Sequence, residues 1–222
     1  METHRLPGDI ERSSMAIIRQ ELHERGIDLP SENAAVILRV IHATADFDYA
    51  ETLRLSPDAV RLGAEALRRG TPIVTDTNMA RAGVSRPGLE RLGGAVHCFM
   101  AEPEIAETAR RDGTTRAVAA MRRAAERYPD AVLAVGNAPT ALFQIADEIE
   151  AGLRPALVVA VPVGFVNVVE SKERIVSVCK THGVPVIAAM GRKGGSSVAA
   201  AIMNALIYTA SDMLDPAARG WR

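Results

Sequence analysis

The chain has 222 residues, 48% hydrophobic, 24% charged and 4% aromatic, with a formal net charge of −1. That length is enough to bury a sizeable core, and so much apolar material at so little net charge excludes a disordered chain. Lys plus Arg (26) nearly equals Asp plus Glu (27), so no overall field draws nucleic acid or an anionic membrane, and 1 Trp, 3 Tyr and 4 Phe leave few platforms for stacking bases.

Two cysteines, Cys98 and Cys179, stand far apart with no metal-ligand spacing, so neither a disulfide framework nor a structural zinc site is expected. The opening METHRLPGDIERSSMAIIRQEL carries acids and arginines where a secretory leader needs an apolar run. No stretch reaches the roughly 20 apolar residues of a membrane span. A soluble, cytoplasmic protein is the expectation, with no membrane and no nucleic-acid partner.

In chain order, 10–25 reads as an amphipathic helix. In 31–43 the residues Val36, Ile37, Val40 and Ile41 repeat at i, i+1, i+4 and i+5, which favours helix over strand. A further helix is predicted over 57–69, opening at a Ser56-Pro57 cap. From residue 70 onward, short runs rich in Val and Ala at 72–75, 95–100, 131–135, 156–161 and 185–190 alternate with helix-like spacing at 114–128, 139–151, 167–181 and 196–213. Near-continuous apolar runs of this kind read as strands buried on both faces, hence parallel. The expected fold is a single three-layer α/β/α domain over 1–222, with a mainly parallel sheet and a helical N-terminal portion.

In an open parallel sheet the ligand sits beyond the carboxyl ends of the strands. The segments there are TDTNMARAG (75–83), AEPE (101–104), GNAPTAL (136–142), PVGFVNVVESKE (162–173) and GRKGGSS (191–197). In the last, Gly194 and Gly195 permit close backbone approach, the following helix offers free N–H groups, and Arg192 and Lys193 add charge. This points to an anion site, and a tight strand-to-helix turn with solvated cations is the competing reading. No Walker or dinucleotide fingerprint is present.

His42 lies in RVIHATADFDY, with Arg39 at i−3 and Asp46 at i+4, which on a continuous helix share one face. Such a histidine can exchange a proton near neutral pH, although taken alone it fits a structural histidine better. His4 falls in the N-terminal tail, His23 on a surface helix, His97 in a strand and His182 at a helix end before Gly183. Asp76 follows a strand, where an aspartate commonly caps the next helix, and Glu170, Lys172 and Glu173 open a helix whose dipole suits carboxylates. Pattern alone ends at an α/β domain with a basic, glycine-lined site for an acidic ligand.

The motifs IHATADFDY, VTDTNMARAG, VGNAPTAL, PVGFVNVVESKE and GRKGGSSVAAAIMNAL, in this order, resemble the precorrin-8X methylmutase family over about 11–206. The resemblance implies a three-layer α/β fold, usually a homodimer. It also implies an isomerase of cobalamin biosynthesis that moves a methyl group from C11 to C12 of precorrin-8X or cobalt-precorrin-8. The product would be hydrogenobyrinate or cobyrinate, made without a cofactor or a protein-held metal. His42, in I-H-A-T, matches the family's catalytic histidine as proton donor to the ring. Ser14, Thr75, Asp76, Thr77, Arg116, Arg192, Lys193, Gly194, Gly195 and Ser196 match positions that contact the tetrapyrrole or line its cavity. A non-catalytic corrinoid carrier is the alternative, followed by an α/β enzyme acting on a phosphorylated small molecule.

Overall fold

A computed structural model of the chain describes residues 6–220; His4 lies outside the described residues. The N-terminal part holds α1 (Pro7–Glu24), α2 (Ser31–Thr44), α3 (Tyr49–Thr52), the strand β1 (Leu53–Leu55) and α4 (Ala59–Arg68). Strand β2 (Ile73–Thr75) leads through α5 (Asn78–Gly83) and α6 (Arg86–Arg91) to β3 (Val96–His97). Then come α7 (Pro103–Arg111), α8 (Arg116–Arg127), β4 (Val132–Val135), α9 (Pro139–Glu150) and β5 (Leu157–Ala160). The chain continues through α10 (Val168–His182), β6 (Val186–Ala189) and α11 (Ser196–Ala210) to a short 3-10 turn, Pro216–Arg219.

The strands form one sheet in the order β1-β6-β5-β4-β2-β3, parallel except for β1, which runs antiparallel to β6. Alternate residues of each central strand face opposite layers. Val132, Ala134, Leu157 and Val159 pack with α1, α2, α4 and α11; Leu133, Val135, Val158 and Ala160 pack with α7 to α10. Burial on both faces explains why these strands read as unbroken apolar runs. The three-layer expectation therefore holds.

Several elements differ from the sequence reading. The N-terminal part is not wholly helical, because Leu53-Arg54-Leu55 adds an edge strand of three residues, too short to carry a period of two. Strand β3 covers 96–97 rather than 95–100. Ser56 does not cap α4, whose N-cap is Asp58; the Ser56 hydroxyl accepts from the Val186 N–H at 3.0 Å and so fixes the start of β6.

The chain leaves β2 outward to β3 and returns to β4 on the other side of β2, so the order reverses between β2 and β4. A crevice opens at such a reversal beyond the carboxyl ends of the strands. Leu133, on β4 at the centre of the sheet, is 1% exposed. Leu133→Ala is expected to cost about 2–5 kcal/mol in urea unfolding, through lost transfer energy and a residual cavity. A loss below about 1 kcal/mol would contradict this packing.

Candidate active site

Where the strand order reverses, the carboxyl end of β2 is tied to the turn after β4 by a buried carboxylate. Asp76 has no exposed surface and accepts from the backbone N–H groups of Gly136, Asn137 and Ala138, each at 2.8 Å. Burial pushes its pKa above the ordinary carboxylate value, while the three N–H groups pull it down. Asp76 thus ties the end of β2 to the turn after β4 and does not cap α5. That role belongs to Thr77, whose hydroxyl accepts from the Ala80 N–H at 3.0 Å. Thr75 is also buried, its hydroxyl set against the carbonyls of Thr77 and His97. Thr75 and Asp76 thus direct their polar atoms to partners inside the protein at the end of β2.

Thr77 does reach the crevice, its hydroxyl 2.7 Å from that of Ser196 at the start of α11. This contact requires Gly136, since a Cβ there would lie 2.7 Å from the Ser196 Cα. Gly194 is equally constrained: at φ +158° a Cβ would run into the Val161 carbonyl. The Gly195 N–H donates to that same carbonyl at 2.8 Å. Helix α11 begins after Gly195 with no side-chain cap, leaving first-turn N–H groups for an anion.

The cations divide into two kinds. Arg192 is exposed, its guanidinium 5.5 Å from the Phe165 ring centroid. Arg116 is exposed at the first turn of α8, where Thr115 is the N-cap and meets Thr140 of α9 at 3.1 Å. Lys193 is instead engaged by Asp46 at 2.7 Å and Asp48 at 2.6 Å, which hold its ammonium pKa above the usual lysine value. That clasp joins the turn after β6 to the turn after α2.

His42 stands in the last turn of α2, exposed. Desolvation by the atoms crowding its inner side lowers its pKa from the ordinary 6.5, the Arg39 and Arg219 charges lower it too, and Glu11 opposes them. Glu11 sits between those arginines, 2.7 Å from Arg39 and 2.6 Å from Arg219, and Tyr208 lies against both guanidinium groups. Arg39 therefore shares the histidine's surroundings as its spacing predicts. Asp46 does not: Ala45 at φ 54° ends the helix in the left-handed region, and Asp46 turns away to Lys193.

Ser14 lies on α1 between the exposed Ile10 and Ile17, and its hydroxyl donates to the Ile10 carbonyl at 2.8 Å. The sequence reading missed the depth of Lys172. This residue has no exposed surface and donates to the carbonyls of Gly191 and Lys193, each at 2.8 Å. Burial lowers its pKa to about 8. Its position on the buried stripe Val168, Lys172, Ile175 and Cys179 was the available signal. Also missed were Phe165 and Val166, which stand 82% and 76% exposed in the loop after β5.

A groove of about 790 Å³ opens elsewhere, beside β1 and the end of α10, and contains none of the predicted site residues. Among the described residues no cluster of His, Cys, Asp and Glu is arranged to hold a metal ion, and no helix is long and apolar enough to cross a membrane. Cys98 and Cys179 are both free thiols, the first half-buried and the second buried.

The order reversal, the glycine turn and the exposed Arg192 place the chain among open-sheet α/β proteins with a candidate site beyond the carboxyl ends of the strands. Residues 9–209 match the family model described as precorrin-8X methylmutase. Cobalt-precorrin-8 methylmutase of Salmonella typhimurium is 42% identical over 207 residues, covering 91% of this chain and 95% of that one. Precorrin-8X methylmutase of Pseudomonas aeruginosa is 40% identical, covering 89% and 93%. The crystal structure of the Thermus thermophilus precorrin-8X methyl mutase superposes with a TM-score of 0.81 at 39% identity, covering 91% of this chain and 98% of that one. The chain belongs to the precorrin-8X methylmutase family, isomerases of cobalamin biosynthesis, which bears out the resemblance read from its motifs.

Asp76→Ala would leave three backbone N–H groups without their acceptor. It is expected to cost on the order of 3 kcal/mol in urea unfolding, with Asp76→Asn losing less because an amide oxygen still accepts. Stability within about 1 kcal/mol of the parent for the alanine variant would show that the carboxylate is not the brace described.

Proposed function

We propose that this chain isomerises precorrin-8X, or its cobalt form, by moving the methyl group from C11 to C12, giving hydrogenobyrinate or cobyrinate. The observation that carries this reading is the clasp of Lys193 with Asp46 and Asp48, which holds the cationic glycine turn beside the end of the helix that bears His42. A ring with several peripheral carboxylates needs N–H donors and cations at its rim and one proton-bearing group near the migrating carbon. Arg116 and Arg192 supply cations, the first turn of α11 at Ser196 supplies N–H groups, Gly194 and Gly195 leave room for the ring beside the backbone, Thr77 adds its hydroxyl, and Lys193 joins them where a ring carboxylate replaces Asp46 or Asp48. Ser14 is kept as a ring contact on the resemblance alone.

In the proposed step one carbon–carbon bond breaks at C11 and one forms at C12, so mass and oxidation state are unchanged. His42 donates a proton to a ring nitrogen and so polarises the π-system in one tautomer. A positioned proton donor contributes about 10²–10⁴-fold, and each tenfold requires about 1.4 kcal/mol of selective transition-state stabilisation. Holding the ring in a single orientation supplies the rest. We further propose that the chain acts as one domain, as a cytoplasmic homodimer. The exposed Leu6, Ile10 and Ile17 on or next to α1, with Phe165 and Val166 at the site, are the apolar surface that supports association.

Turnover is read as a change in visible spectrum at unchanged mass when purified protein meets precorrin-8X or cobalt-precorrin-8. A carrier would bind the ring without that change. His42→Ala is expected to lower kcat by about 10²–10⁴-fold while ring affinity stays within a few-fold. The lowered His42 pKa also sets the sign of the pH dependence. The acid form is lost as pH rises, so kcat/KM should fall through an apparent pKa below 6.5. A kcat/KM that climbs with pH across this range would remove His42 as the donor.

A further inference from the structure

Lys172 has a chemistry that neither the methyl shift nor the rim contacts require. It is the one lysine among the large side chains with no exposed surface, and its ammonium is spent on two main-chain carbonyls of a single turn. A buried ammonium is costly unless its protons are taken up by acceptors fixed in place. Those acceptors, Gly191 and Lys193, flank Arg192, whose own carbonyl accepts from the Gly164 N–H at 3.2 Å. Three successive carbonyls of the turn are therefore drawn into the protein. The Arg192 side chain is left on the outer face, against Phe165 of the same loop that contains Gly164.

We infer that Lys172 is a positioning residue for the ring-binding turn. Its ammonium orders residues 191–193, so that Arg192 presents its charge, Lys193 reaches Asp46 and Asp48, and Gly194 and Gly195 meet the Val161 carbonyl. The inference deepens the proposed function: it rests on that reading for the ligand, while the ordering of the turn stands on the geometry alone. Burial lowers the pKa of Lys172, and the two carbonyls of the turn take up its protons. The cost of keeping it there marks a turn whose conformation matters more than the stability a methionine would bring.

Two readouts separate this role from general stability and from the assignment of substrate. Trypsin cuts after Arg192 or Lys193 only if the turn can leave the surface, so native-state proteolysis followed by mass spectrometry reports its ordering without any ligand. Lys172→Met, which keeps length and removes the donors, is expected to speed cleavage at these two bonds at least tenfold relative to cleavage after the exposed Arg111. It should also raise KM for the ring at least tenfold with kcat reduced less than threefold. Lys172→Gln, whose amide still donates, should recover part of both. Unchanged relative cleavage at 192–193 would overturn the inference, and so would faster cleavage spread over all sites, since that is the mark of a residue of global stability. A loosened turn in a protein whose parent shows no turnover would uphold the positioning role and sink the proposed function instead.

Discussion

The Asp76 carboxylate, buried and holding three consecutive N–H groups of the turn after β4, is the interaction on which the rest of the crevice depends. Strands β2 and β4 are neighbours in the sheet, yet the chain between them travels out to β3 and back through two helices. Ladder pairing brings Thr75 beside Ala134 but does not by itself set the turn that follows β4. The carboxylate fixes that turn, which contains Gly136, and the missing side chain of Gly136 then admits the first residue of α11. Once Ser196 is in place, Thr77 bonds to it, and the glycine turn before α11 packs on the Val161 carbonyl at the end of β5. Three strands and one helix N-terminus thus converge through hydrogen bonds shorter than about 3 Å.

Charge is distributed as economically as a net of −1 demands. Few cations are free for a ligand, because many are paired in ways that build the site. Glu11 neutralises part of the Arg39 and Arg219 charge beside His42, so the histidine feels a smaller positive field than two bare guanidinium groups would impose. Lys193 is held by two aspartates, and Lys172 by carbonyls. Arg116 and Arg192 remain exposed on the carboxyl side of the sheet. A protein without a global positive field can still bind a polycarboxylate if its few exposed cations and N–H donors converge on one rim. The exposed pairs contribute little to stability, and their value lies in geometry.

Much of this was legible in the sequence, for identifiable reasons. Strands β2, β4, β5 and β6 are covered on both faces and so spell continuous apolar runs, while the long helices carry clear periodicity. The GRKGGSS turn announced itself because a glycine pair beside two cations stands between an apolar strand and a long helix. Strand β1 stayed hidden because three residues cannot show a period, and α5, α6 and α7 because short helices depend on caps and packing more than on pattern. The supposed common face of His42 and Asp46 failed at Ala45, a left-handed residue whose type gives no hint of it. Asp76 and Lys172 looked like ordinary helix-end residues because their partners lie 60–62 and 19–21 positions away, and only the fold brings them together. The five motifs carried the family without revealing these supports.

The central claim is that the site moves a methyl group within one molecule, and the direct measurement is nuclear magnetic resonance of a ring labelled with carbon-13 at the C11 methyl. An equimolar mixture of labelled and unlabelled precorrin-8X, or of the cobalt forms, would be converted by the parent protein. The account predicts that the label appears wholly at the C12 methyl, with the labelled and unlabelled masses of the two populations preserved. A label that stays at C11, or that is scrambled between molecules or lost from the ring, would contradict it.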